Sequence, residues 1–334
     1  MEHSHELPHE SEHDAPDYHQ RLADVLKVRN DNLALAPEHI NAITTALSVV
    51  YTRYGNPAQD SYHPYHNDIH SFNVTTGSWR VLDFMRDELH FDVNPTDYAV
   101  GGLIGSLHDI IHEGITIGTI AQEHYPVDFG SCTISVENDG TKTDEMLSAE
   151  CAVLYLNKRG LSPDVQQRVG KGIRLTEVTF EDGAVIQKGA GQGGRDYGAI
   201  AAAIADTEGI FGGEERLAGD VARLVAEMLG EKAGDEGIVS AHITKFMESE
   251  KAFVNQKITE FILHIYGTQE DPEKLREIQD KFHSHFEPYR QKALGAAALF
   301  DSTISDFQQR RDKIKAKIDS IRTMIGSGKA TGDD

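Results

Sequence analysis

The chain of 334 residues carries 32 lysines and arginines against 54 aspartates and glutamates, a formal net charge of −22. So acidic a surface repels phosphate backbones and anionic lipid, which argues against nucleic-acid and membrane partners; an anionic substrate would have to be met by bound cations. Apolar residues make up 39% with no run of about 18 of them, no apolar signal core opens the chain, and Cys132 and Cys151 are too few for a disulfide framework, so a globular cytoplasmic protein is expected.

In chain order, residues 1–20 hold His3, His5, His9, His13 and His19 among acidic residues without an apolar period, and read as a disordered His-rich tail. Residues 21–270 read as one helical domain. Ala36-Pro37-Glu38 opens an apolar-periodic run through Ile40, Ile43, Leu47 and Val50, and a second helix is expected over 67–85. Asp97 is a candidate N-cap for a third, with Val100, Leu103, Ile104, Leu107 and Ile111 on one face. Residues 115–143 read as irregular. Residues 144–156 read as a helix closed by Lys158-Arg159-Gly160. The glycine-rich stretch 181–198 reads as a loop near the site, and the small-residue run 199–206 as a helix that delivers Asp206.

Beyond this domain, residues 271–325 read as a helical extension. Phe300, Ile304, Phe307, Arg311, Ile314, Ile318, Ile321 and Ile325 alternate steps of four and three, a heptad seam with one polar interruption. It serves either self-association into a homo-oligomer or packing on its own domain. Residues 326–334 read as a frayed tail.

Two segments carry the chemistry. Tyr65-His66-Asn67-Asp68-Ile69-His70 and His108-Asp109-Ile110-Ile111-His112 each place two imidazoles four residues apart, the spacing of one helix face. Imidazole beside carboxylate is a donor set for a divalent cation that activates water.

The first segment, continued by Ser71-Phe72-Asn73-Val74, resembles the opening motif of the catalytic domain of class I 3′,5′-cyclic nucleotide phosphodiesterases. Leu107 to Gly114 resembles that family's second metal motif, although Glu113 stands where the family has proline. Both motifs belong to the wider HD superfamily of metal-dependent phosphohydrolases. Ala205-Asp206 resembles the pair that closes the metal site, and Val254-Asn255-Gln256 the segment with the purine-recognising glutamine. The resemblance implies an all-α, multi-helix HD/phosphodiesterase-like bundle around a binuclear metal site, with a long C-terminal helix appended. It implies a first ion (zinc, manganese or iron) held by His70, His108, Asp109 and Asp206. A second, magnesium or manganese, is implied with Asp109 bridging and a shared hydroxide as nucleophile. His66 would be the acid that protonates the leaving oxygen, His112 and Glu145 would orient water, and Tyr65 and Gln256 would line the nucleotide pocket.

A second resemblance competes. Asp144-Glu145-x-x-Ser148-Ala149, then Gly160-Leu161 and Ile173-x-x-Thr176, is similar to a family of small HD phosphohydrolases of unread substrate. Three functions follow: hydrolysis of a cyclic nucleotide, hydrolysis of another nucleotide or phosphate monoester, and non-catalytic metal binding by a scaffold.

Overall fold

The computed structural model describes residues 24, 26, 33–55, 63, 65–112, 124–181, 184–187, 196–207, 224 and 227, and six positions between 273 and 284. Gln256, the heptad segment and the His-rich tail lie outside the described residues. Within them the fold is mainly helical: α1 (Pro37–Val50), α2 (Asp68–Asp87), α3 (Pro95–Leu107), α4 (Asp144–Lys158), α5 (Pro163–Leu175) and α6 (Tyr197–Thr207). A π-helical turn, Tyr51–Gly55, extends α1. Two antiparallel hairpins are added, β1 (His124–Asp128) with β2 (Thr133–Glu137), and β3 (Val178–Glu181) with β4 (Ala184–Gln187). Among the described residues no helix is long and apolar enough to cross a membrane.

Local chemistry sets the helix starts. Pro37, Pro95 and Pro163 occupy first turns, where the missing N–H costs nothing. Asn67 caps α2 by accepting from the amides of Ile69 and His70. Asn94, not Asp97, caps α3. Asp97 sits three residues in and reaches back to the Asn94 amide, completing a capping box, so the carboxylate that looks like a cap is its reciprocal partner.

The core forms where α2, α3 and α6 pack on one another, with α5 against α3, α4 and α6, and α1 against α2 and α3. Small residues allow close approach. A Cβ on Gly105 would lie 2.5 Å from the Thr75 amide nitrogen, so α2 and α3 nearly touch backbone to backbone there. Trp79 is fully buried and donates to the Tyr98 carbonyl at 2.8 Å. The start of α6 is fixed by Asp196, which accepts from the Ala199 amide and pairs with Arg168, itself paired with buried Asp97.

Two stretches differ from the sequence reading. Residues 115–143 include the β1–β2 hairpin, whose Tyr125, Val127, Ile134 and Val136 face inward alternately. Five-residue strands are too short for the period to declare itself, and Pro126 breaks the local pattern. The glycine-rich stretch 181–198 likewise includes β4.

Candidate metal centre

The helical pairing expected for the two histidine motifs does not hold. α2 begins at Asp68, so His66 lies in the bend before it and only His70 is helical. α3 ends at Leu107, so His108 caps its C-terminus while Asp109 to His112 run on as turns. Asn67 and the helix end intervene, because capping terminates each helix before the four-residue spacing can act. The side chains nonetheless converge. Ser148 pins the outgoing turn, accepting from the Ile111 amide and donating to the Ile111 carbonyl. Tyr54 accepts the His112 amide at 2.9 Å.

His70 from α2, His108 and Asp109 from the end of α3, and Asp206 from α6 meet in one buried cluster. His70 Nε2 is 3.1 Å from His108 Nε2 and 3.0 Å from Asp206 Oδ1. His108 Nε2 is 3.0 Å from Asp109 Oδ2 and 3.2 Å from Asp206 Oδ1, and His70 Nε2 is 3.5 Å from Asp109 Oδ2. Ligands bound at about 2.1 Å and at right angles are about 3.0 Å apart, so these separations suit one six-coordinate cation.

Protons support that fit. His108 Nδ1 lies 2.9 Å from the Gly105 carbonyl, which assigns the proton to Nδ1 and turns the Nε2 lone pair inward. Lone pair then faces carboxylate, and Asp109 Oδ2 is buried without a hydrogen-bond partner. Either a cation or an extra proton must relieve this. Burial alone would push the His108 pKa down, yet Asp109 and Asp206 hold it well above the ordinary histidine range. Burial would likewise raise the two carboxylates, but the imidazoles hold Asp109 well below its usual range and Asp206 at about 2. The pocket selects positive charge.

A second constellation adjoins the first. His66 Nδ1 sits 2.6 Å from Glu227 Oε1. Glu227 Oε2 accepts the amides of Tyr65 and His66 at 2.8 and 3.2 Å. Burial would raise the Glu227 pKa, but His66, His112 and His63 hold it far below the ordinary carboxylate range. The His66 ring stacks on His112 at 4.0 Å and meets His70 edge-on at 5.7 Å. Tyr65 lies over His70 at 4.4 Å. His66 thus stands between the two groups, oriented by an anion.

Against protein-family models, curated proteins and solved structures, this chain matches none.

Of the residues singled out by sequence, His66, His70, His108, Asp109, His112, Asp206 and Tyr65 are brought together. Glu145 lies within electrostatic reach of Asp109. Its neighbour Asp144 faces His112, with Oδ2 3.5 Å from His112 Nδ1. Glu145 is mostly buried, and its pKa is raised by that burial and by the Asp109 and Glu177 carboxylates. Two residues went unread. His63 stands three positions before His66, a repeat of imidazole that was legible. Glu227 follows Asp206 by 21 positions in an ordinary-looking segment, and no local pattern marks it.

Proposed function

We propose that this protein is a metal-dependent phosphohydrolase whose substrate is a 3′,5′-cyclic nucleotide, opened to the 5′-monophosphate. The observation that carries the reading is the convergence of His70, His108, Asp109 and Asp206 at ligand-to-ligand distances of 3.0 to 3.5 Å. A divalent cation held there supplies Lewis-acid activation of water and neutralises phosphoryl charge.

The protein's own groups do the rest. Gly105 fixes the His108 tautomer through its carbonyl, and the bundle brings the four donors together from α2, the C-terminal end of α3 and α6. His66, with Nδ1 tied to Glu227, presents Nε2 as the proton donor. A ribose alkoxide is a poor leaving group without a proton, so an oriented imidazole beside a cation site suits an ester better than an anhydride. The cyclic nucleotide itself rests on the sequence resemblance, in which the Gln256 amide offers a donor and an acceptor to a purine edge.

A second reading is hydrolysis of another nucleotide or a phosphate monoester. One observation favours it: Asp144 and Ser148, both in the motif Asp144-Glu145-x-x-Ser148-Ala149 that resembles the small HD phosphohydrolases, engage the turn bearing His112. A manganese-supplemented screen over cyclic nucleotides, nucleoside phosphates and an aryl phosphodiester separates the readings. Chelator-sensitive opening of a cyclic nucleotide supports the first, and monoesterase activity alone supports the second. No turnover of any substrate by manganese-loaded protein would leave a metal-binding scaffold.

A further inference from the structure

His63, His112 and Glu227 are not needed as ligands by the centre described above, yet they offer His63 Nδ1, His112 Nε2 and a Glu227 oxygen within 4.8 Å of one another. We propose that these three side chains form a separate, tetrahedral cation site of zinc type.

Two separations from Glu227 fit tetrahedral ligation. Glu227 Oε1 is 3.5 Å from His63 Nδ1 and 3.4 Å from His112 Nε2. Ligands bound at about 2.0–2.1 Å at the tetrahedral angle are about 3.3–3.4 Å apart, whereas right-angled ligands are about 3.0 Å apart. Neither contact is a good hydrogen bond. His112 Nε2 is buried and has no hydrogen-bond partner, although it points toward a carboxylate. A cation between the two atoms satisfies both.

The surroundings hold the donors in place. Asp144 Oδ2 faces the other ring nitrogen of His112, the carboxylate–histidine arrangement that leaves Nε2 free to ligate. Glu227 Oε2 is occupied by two backbone amides and Oε1 meets His66 Nδ1 at 2.6 Å, so the carboxylate cannot rotate and a cation would take the remaining lone pair of Oε1. His63 is packed edge-on between Tyr54 at 5.1 Å and His112 at 5.0 Å. Two imidazoles and one carboxylate, with water as fourth ligand, suit zinc and disfavour magnesium or calcium, which take oxygen. The site stands whether or not the first centre is a phosphohydrolase.

Zinc equivalents per full-length chain, after stripping and dialysis against zinc, test the proposal. Asp206→Asn, His63→Gln and the double variant are compared with wild type. The five tail histidines contribute the same background to all four. Loss of one equivalent on His63→Gln, in both the wild-type and the Asp206→Asn background, is the expected result. An unchanged count would overturn the site. Should His63→Gln fail to fold by circular dichroism, X-ray absorption on His70→Ala, Asp206→Asn protein carrying one zinc equivalent decides, because the first centre then keeps only one imidazole. Four-coordinate zinc with two imidazoles and one carboxylate supports the site, and six-coordinate or oxygen-only zinc rejects it.

Discussion

At the scale of the residue, the second anchor of the account is the contact between His66 and Glu227. Glu227 keeps its charge despite burial, so it can hold the His66 imidazole in one orientation through a full cycle. His66→Ala should lower turnover by roughly 10²–10⁴-fold, and Glu227→Gln by roughly 10–100-fold. The metal bound by His70, His108, Asp109 and Asp206 should stay, so by mass spectrometry His66→Ala keeps its metal content and Glu227→Gln loses no more than the one equivalent assigned to the second site. Loss of that metal in His66→Ala would make His66 a ligand rather than an acid.

Proton linkage gives a prediction for the metal-free protein. Asp206 is depressed to about 2 from 3.8, so its contribution to stability is present above about pH 3.8 and is lost as pH falls toward 2. His108 is raised, so its contribution is complete below 6.5 and is lost as pH rises through the raised value. The melting temperature of metal-free protein should peak between these limits. Manganese should raise it most on the alkaline side, where the cation replaces the missing proton. Equal stabilisation across that range would contradict the charge account. Adjacency made His108-Asp109 readable in sequence, whereas the Glu227 contact with His66 spans 161 positions and has no local trace.

At the scale of the element, the metal cluster depends on how closely α2 and α3 approach. Gly105 lies against the Thr75 backbone, and its own carbonyl receives the His108 proton. Gly105→Ala should cost roughly 1–3 kcal/mol through overpacking, read by denaturant titration. It should also weaken metal binding, because the helices must part and carry His70 from His108. Stability and affinity both at wild-type level would show that the approach is not what sets the site. Five of the six helices were legible from apolar period and small-residue composition, whereas α5 went unread although Ser162 and Pro163 mark its start. Helix ends were less legible, since a capping side chain beyond the periodic run decides them, as Asn94 does for Asp97. The short hairpins were not legible because strands of four or five residues give too few positions for alternation to declare itself.

At the scale of the whole molecule, under the proposed function a charge of −22 would make bound cations a condition for holding a phosphate substrate. The heptad run 300–325 was read from sequence alone. If it joins two chains, truncation after residue 299 should lower the sedimentation coefficient to that of a smaller assembly while metal content per chain is kept. An unchanged assembly would assign the run to packing on its own domain.

The central claim is that one buried four-residue cluster both holds the cation and supports hydrolysis. Metal content and manganese-dependent turnover, measured on the same preparation of Asp109→Ala and of wild type, test it most directly. The account predicts that the variant loses metal from the cluster and loses cyclic-nucleotide hydrolysis with it. A variant that keeps full turnover would contradict the assignment of the site.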